Sequence, residues 1–233
     1  MNAATMAILT LFDLDHTLIP LDSNQAWVEF LIDRGVLRAN PYARLASAME
    51  ERYRTQTKEI DIPFCEFFIG TLTHVPPDEL AGQVELFIER CIAPRVSAAA
   101  QELVAFHRAK GEILVMITAT NRIITAPIAR LFGIEHLIAT EPETVAGRLT
   151  GKVAGTPSMR GGKVVRLDQW LAGGAIPGLS HVAQLGASCF YSDSINDLPL
   201  LEYVTDPVAV DPDRALAEWA KARSWPIVSL RPV

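Results

Sequence analysis

Ala7-Ile8-Leu9-Thr10-Leu11-Phe12-Asp13-Leu14-Asp15-His16-Thr17 is a short, nearly continuous apolar run that stops abruptly at two carboxylates. A run of this length fits a strand buried on both faces, the form that strands take inside a parallel sheet. The same form returns at residues 112–117, ending at Thr118, and at residues 187–191, ending at Ser192-Asp193. Helical patterns follow or separate these runs at residues 98–110 closed by Gly111, 122–132 closed by Gly133, and 163–171 closed by Gly173. Strands alternating with helices predict an α/β fold with a parallel sheet covered on both faces. Ligands of such sheets bind beyond the carboxyl ends of the strands, so the polar residues ending the three runs are expected to converge on one site.

Between Asp22 and Pro94 the alternation gives way to a purely helical pattern. Ala26, Trp27, Phe30 and Leu31 form one apolar face before Gly35, and Tyr42, Leu45, Ala46, Met49 and Tyr53 form a second. Phe64, Phe67 and Phe68 begin a third helix. Leu80, Val84, Phe87, Ile88 and Cys91 make a fourth after the start signal Pro77-Asp78. The expected organisation is a core of residues 1–21 and 94–233 with a helical domain, residues 22–93, inserted after the first strand. Residues 173–180 read as a surface loop.

The 233 residues are 49% hydrophobic and 21% charged, an ordinary globular composition with no disordered tract. A formal net charge of −6 offers no general attraction to nucleic acid or to an anionic membrane, which favours a small-molecule ligand. If that ligand is an anion, local positive charge has to come from a metal, a lysine or a helix N-terminus. Cys65, Cys91 and Cys189 are odd in number and widely spaced in apolar segments. They suit buried thiols in a reducing compartment better than a disulfide frame or a zinc site. No basic leader or membrane span is read near the start, and a cytoplasmic protein is expected.

Four groups carry chemistry. In Asp13-Leu14-Asp15-His16-Thr17, Asp13 can attack phosphorus and bind a metal, and Asp15 is near enough to exchange a proton with the leaving and attacking oxygens. The same residues suit a plain turn. Thr118-Ala119-Thr120-Asn121 places a hydroxyl and backbone N–H groups where a helix begins, suited to phosphate oxygens, although Thr and Asn are also common caps. Lys163, after Gly161-Gly162, can neutralise charge on a phosphate, or be a solvated side chain. In Ser192-Asp193-Ser194-Ile195-Asn196-Asp197 the carboxylates can complete an oxygen-only site of the kind Mg²⁺ prefers, while Asp193 or Ser194 also suits a helix cap.

Taken together and in this order, the four groups resemble the signature of the haloacid dehalogenase superfamily. Its DxDx(T/S) pattern matches Asp13, Asp15 and Thr17; its strand-end threonine matches Thr118; its helix-start lysine matches Lys163; its acidic final motif matches Asp193 and Asp197. The helical insertion and the run Ser192 to Leu201 resemble the phosphoserine-phosphatase-like branch, with Ser192 where many members have glycine. The resemblance implies a Rossmann-like core with an all-helical cap, and Mg²⁺ held by Asp13, Asp193, the backbone carbonyl of Asp15 and, directly or through water, Asp197. It also implies hydrolysis of a phosphomonoester through an aspartyl-phosphate on Asp13, with Asp15 protonating the leaving oxygen and then activating water.

The cap is expected to exclude water and to choose the leaving group. Asp22 stands nine residues after Asp13, where phosphoserine phosphatases carry an acidic residue facing the substrate amine, and is also a good helix cap. Leu21-Asp22-Ser23 before Ala26-Trp27, with Thr118-Ala119-Thr120-Asn121, is similar to a bacterial subgroup that includes histidinol-phosphate phosphatases. The expected substrate is therefore a small, amine-bearing phosphate ester, with histidinol phosphate placed ahead of phosphoserine and with Asp22, Thr17, Thr118, Asn121 and Lys163 as its contacts. Phosphoryl transfer to another acceptor and a silent phosphate-ligand-binding protein are the alternatives. Asp13 and Asp15 are both present, which speaks against the silent form.

Overall fold

The computed structural model describes residues 8–55 and 60–231. Ala7, read as the first residue of the first strand, lies outside them. Strand β1 (Ile8–Phe12) is followed by helices α1 (Ser23–Asp33), α2 (Ala39–Thr55), α3 (Ile62–Leu72) and α4 (Leu80–Phe87). Then come α5 (Ala98–Ala109), β2 (Ile113–Asn121), α6 (Arg122–Leu131), β3 (His136–Val145), β4 (Arg148–Ala154) and α7 (Gly161–Ala172). The chain ends through β5 (Ala187–Ser192), the short α8 (Leu198–Leu201), β6 (Asp206–Val210), α9 (Arg214–Arg223) and β7 (Ile227–Val228).

The strands form one seven-stranded sheet in the order β4-β3-β2-β1-β5-β6-β7, parallel except for the antiparallel β3–β4 pair. This is the expected α/β, Rossmann-like architecture. β1 lies at the centre, hydrogen-bonded to β2 and β5, the other two strands read from the sequence.

Successive side chains of a strand point to opposite faces, and β1 shows why its run is apolar almost throughout. Leu9 and Leu11 join Val115, Ile117 and Phe190 under Leu167 and Leu171 of α7, Leu200 of α8 and Leu216 of α9. Phe12 faces the other way and packs with Met116, Tyr191 and Val104 of α5, in a cluster that continues into the helices after β1. There Trp27, Phe30 and Phe87 pack ring on ring, with the Trp27 indole N–H donating to Thr71 Oγ1 at 3.1 Å. That bond satisfies the only polar atom of a fully buried side chain.

Several local readings change. β2 does not stop at Thr118 but runs on to Asn121, because a register shift against β3 lets Asn121 pair with Thr140. The third of the helices after β1 starts at Ile62, where Asp61 accepts from the Phe64 N–H, and the fourth narrows to Leu80–Phe87 before a π-turn at Ile88–Ile92. Residues 173–180 form no regular element beyond an isolated Ile176–Leu179 bridge, although Ile176 is buried. Cys65 is buried, but Cys91 and Cys189 are only partly so; all three are free. No helix among the described residues is long and apolar enough to cross a membrane.

Candidate active site

β1 delivers Asp13 to the carboxyl edge of the sheet, where its N–H donates to the Tyr191 carbonyl at 2.9 Å and so extends the β1–β5 ladder by one residue. The chain then turns tightly. The Thr17 and Ile19 N–H groups both reach back to the Leu14 carbonyl, at 3.3 and 3.1 Å, and His16 takes the left-handed conformation with φ 59°. The turn puts Thr17 behind Asp13. Its hydroxyl proton faces Asp193 Oδ1 at 3.1 Å and Asp13 Oδ2 at 3.4 Å, and its oxygen accepts from the Asp193 N–H at 3.1 Å.

Lys163 enters from the first turn of α7 and is 1% exposed. Its ammonium donates to Asp13 Oδ1 and to Asp197 Oδ2, each at 2.6 Å. The turn that sets it is tight: Arg160 has φ 51°, and a Cβ on Gly162 would lie 2.2 Å from the Pro157 carbonyl oxygen. Burial works against the ammonium, but the attraction of Asp13 and Asp197 outweighs it and holds the Lys163 pKa above the ordinary lysine value. Asp13 is itself pushed up to about 7, first by burial, with Lys163 opposing and Asp197 and Asp15 adding to the rise. Burial and the charges of Asp13 and Asp197 likewise raise Asp193.

Asp197 also accepts from Ser192 Oγ at 2.7 Å, while its Oδ1 is buried without a partner among the described residues. Ser194 Oγ accepts from the Asn196 N–H at 3.2 Å, so Ser194 is the residue that caps the turn before Asp197. Asn196 Nδ2 and the Arg160 guanidinium both donate to the main-chain carbonyl of Tyr53, at 3.0 and 2.8 Å, joining α2 to the rim of the site.

Asp13, Asp15, Thr118, Asp193 and Asp197 line one cavity, closed from the other side by Asp22, Asn24, Glu50, Tyr53 and Phe64. Tyr53 stacks on Phe64 with ring centroids 4.8 Å apart. Asp22 is the N-cap of α1, its Oδ1 accepting from Gln25 N–H at 2.7 Å, and it borders the cavity as well. Asn121 is placed differently: it caps α6 through Ile124 N–H at 3.3 Å and lines a separate small void. Thr120 was not singled out from the sequence, yet its hydroxyl donates to Asp15 Oδ2 at 2.8 Å.

The donors fit a hard divalent cation. Of three carboxylates, Asp13, Asp193 and Asp197, the first and the last share one lysine, and the buried Asp197 Oδ1 lacks a partner among the described residues. Among the described residues no group of three His, Cys, Asp or Glu side chains forms a ready-made cage. Mg²⁺ is usually bound through one or two carboxylates and keeps several waters.

Residues 10–202 match the sequence model of the haloacid dehalogenase-like hydrolase family. A histidinol-phosphatase from Neisseria meningitidis serogroup C (strain 8013) is 38% identical over 227 residues, covering 97% of this chain and 100% of that protein. A crystal structure of a protein with unknown function from Bordetella pertussis Tohama I superposes with a TM-score of 0.89 at 46% identity, covering 97% of this chain and 100% of that one. A phospho-aspartyl intermediate analogue of phosphoserine phosphatase superposes with a TM-score of 0.66 at 16% identity over 97% of this chain and 94% of that one, a likeness of fold.

Proposed function

Because the chain belongs to the haloacid dehalogenase-like hydrolase family, we propose that it is a Mg²⁺-dependent phosphomonoesterase acting on a small, amine-bearing phosphate ester. The observation that carries this reading is the placement of Asp13: at the end of a central strand, bonded to a buried lysine and sharing a cavity with Asp15.

In the first half-reaction an Asp13 carboxylate oxygen attacks phosphorus, the ester P–O bond breaks, and Asp15 gives its proton to the departing alkoxide. In the second, Asp15 takes a proton from water, whose oxygen attacks the phosphorus of the aspartyl-phosphate. The P–O bond to Asp13 breaks, releasing phosphate and restoring the carboxylate. Lys163 holds the attacking carboxylate in place and offsets its repulsion from the incoming phosphate. Thr118 offers a phosphate contact at the cavity wall, and Thr17 holds Asp13 and Asp193 in register. Mg²⁺ would be held by Asp13, Asp193, the Asp15 carbonyl and, directly or through water, Asp197, and would supply charge neutralisation for phosphoryl transfer.

Helices α1 to α4, within residues 22–93, act as the cap that selects the leaving group. Asp22 and Glu50 stand on the wall of the cavity, where Asp22 can meet a substrate amine. The full-length likeness to a histidinol-phosphatase favours histidinol phosphate over phosphoserine. The test is phosphate release from a panel of small phosphomonoesters with Mg²⁺ and with chelator. Metal-dependent release, fastest with amino-bearing esters, is expected; no release from any ester with metal bound would overturn the reading.

A further inference from the structure

Asp15 is held at both carboxylate oxygens. The main-chain N–H of Ser23 donates to Oδ1 at 2.8 Å and the Thr120 hydroxyl donates to Oδ2 at 2.8 Å. Thr120 is 1% exposed, and its oxygen accepts in turn from Asn24 Nδ2 at 2.9 Å and from Ser23 Oγ at 3.2 Å. A threonine hydroxyl has one proton and two lone pairs, and here all three are in use. The direction of the chain of bonds follows: the proton goes to Asp15, and both lone pairs are filled from the first two residues of α1. Asn24 Oδ1 has no partner among the described residues, and the bond to Thr120 sets the orientation of that amide.

We propose that Thr120 is a positioning residue for Asp15, and that with Asn24 it ties the stance of the proton donor to the seating of α1. This rests on the hydrolase reading, in which Asp15 protonates the leaving oxygen. A carboxylate pinned at one oxygen can still swing about its remaining torsions; a second donor on the other oxygen fixes its plane. The helix that supplies the second route starts immediately after Asp22, which borders the same cavity. A leaving group that seats α1 well therefore also aims the acid. Thr118, two residues earlier on the same strand, is placed for the phosphate; Thr120 serves the proton.

The test compares Thr120→Val, which keeps shape and removes the hydroxyl, with Thr120→Ser, which keeps the hydroxyl. Each is assayed as the full chain with Mg²⁺ on an alkyl phosphate and on p-nitrophenyl phosphate, alongside Asp15→Asn. Thr120→Val is expected to lower kcat for the alkyl ester by about 10²-fold, the size of effect expected for an ångström of misplacement. KM should change little, and the loss on the aryl ester, whose leaving group needs little protonation, should be roughly ten times smaller. Thr120→Ser should recover most of the alkyl rate. Equal losses on both esters, a change confined to KM, or no recovery by serine would overturn the proposal while Asp15→Asn still shows its leaving-group dependence. If Thr120→Val does not fold, Asn24→Leu decides. A loss biased toward the alkyl ester supports the relay, and an unbiased loss or none removes it. A wild-type protein that hydrolyses no ester would take down the hydrolase reading itself, and this inference with it.

Discussion

Nζ of Lys163 lies 2.6 Å from Oδ1 of Asp13, although 150 positions of sequence separate the two residues. The pair is buried, and its geometry explains how an acidic protein can receive a phosphate ester. The Asp13 carboxylate is partly neutralised before any substrate arrives, by a cation that the same burial holds in place. A buried pair of this kind is not by itself a source of stability, since each ion has lost its water. Losing one partner, however, leaves the other charge uncompensated.

Lys163→Met is therefore expected to cost roughly 3–5 kcal/mol of stability, as breaking a buried pair generally does, because Asp13 and Asp197 then face each other without a cation. Phosphate release should fall to near background. Denaturant unfolding and a phosphate assay check the two effects; a variant as stable as the parent would mean that Lys163 is not the charge partner of these carboxylates.

Magnesium should stabilise the protein in the absence of any substrate. An ion that binds only the folded state at one hundred times its Kd adds about 2.7 kcal/mol. Asp193→Asn should abolish most of that shift in thermal unfolding while leaving the metal-free midpoint close to, or above, that of the parent, since a raised, buried carboxylate has been neutralised. A full Mg²⁺ shift in the variant would place the ion elsewhere.

Gly162→Ala tests the turn that delivers Lys163. The new methyl would meet the Pro157 carbonyl oxygen at 2.2 Å, a backbone atom that cannot rotate away. Overpacking of this kind costs about 1–3 kcal/mol, and the strain should fall on the first turn of α7. Activity should drop more than stability does, because Lys163 is the next residue. Parental activity in a stably folded variant would show that the turn tolerates movement.

Much of this site was legible in the sequence because its residues sit where apolar runs stop. Asp13, Thr118 and Asp193 could be placed at one sheet edge from the strand patterns alone, and the structure brings Asp13, Asp15, Thr118, Asp193 and Asp197 to one cavity. The β3–β4 hairpin was not legible. Arg148, Thr150 and Lys152 give β4 a half-exposed, polar pattern, and its pairing with β3 is set by that strand. Thr10 and Glu112 were read as parts of strands, yet Glu112 accepts from Thr10 at 2.5 Å and pairs with His107, which in turn meets the Tyr191 hydroxyl at 2.8 Å. Such partners lie up to 102 positions apart and leave no local signature. Thr120 was hidden for another reason: β2 carries on past Thr118, and alternation along the strand turns its hydroxyl toward Asp15.

Asp22 combines two roles that one substitution separates. As N-cap it accepts from Gln25 N–H, and asparagine caps nearly as well as aspartate. As a carboxyl group it is pushed up to about 8, first by burial, then by the charges of Asp15 and Glu50, with the Gln25 bond opposing. An acid whose folded pKa is raised binds its proton more tightly in the folded protein than in the unfolded chain. The folded state is therefore progressively disfavoured as pH rises from about 4, the unfolded value, to about 8. Asp22→Asn removes that loss, so its stability relative to the parent should grow across this window, by about 1 kcal/mol or more where a pKa unit corresponds to about 1.4 kcal/mol. A substrate ammonium would draw the proton off and pair with the carboxylate. In the parent, kcat/KM for an amino-bearing ester should therefore rise with pH toward 8 relative to that for p-nitrophenyl phosphate. In Asp22→Asn this relative rise should vanish and the amino ester should lose about 10-fold or more, the worth of a charge-assisted hydrogen bond. Stability curves and kcat/KM ratios measured from pH 5 to 9 decide the matter. Equal losses on both esters, with no change in the pH dependence of their ratio, would leave Asp22 as a helix cap alone.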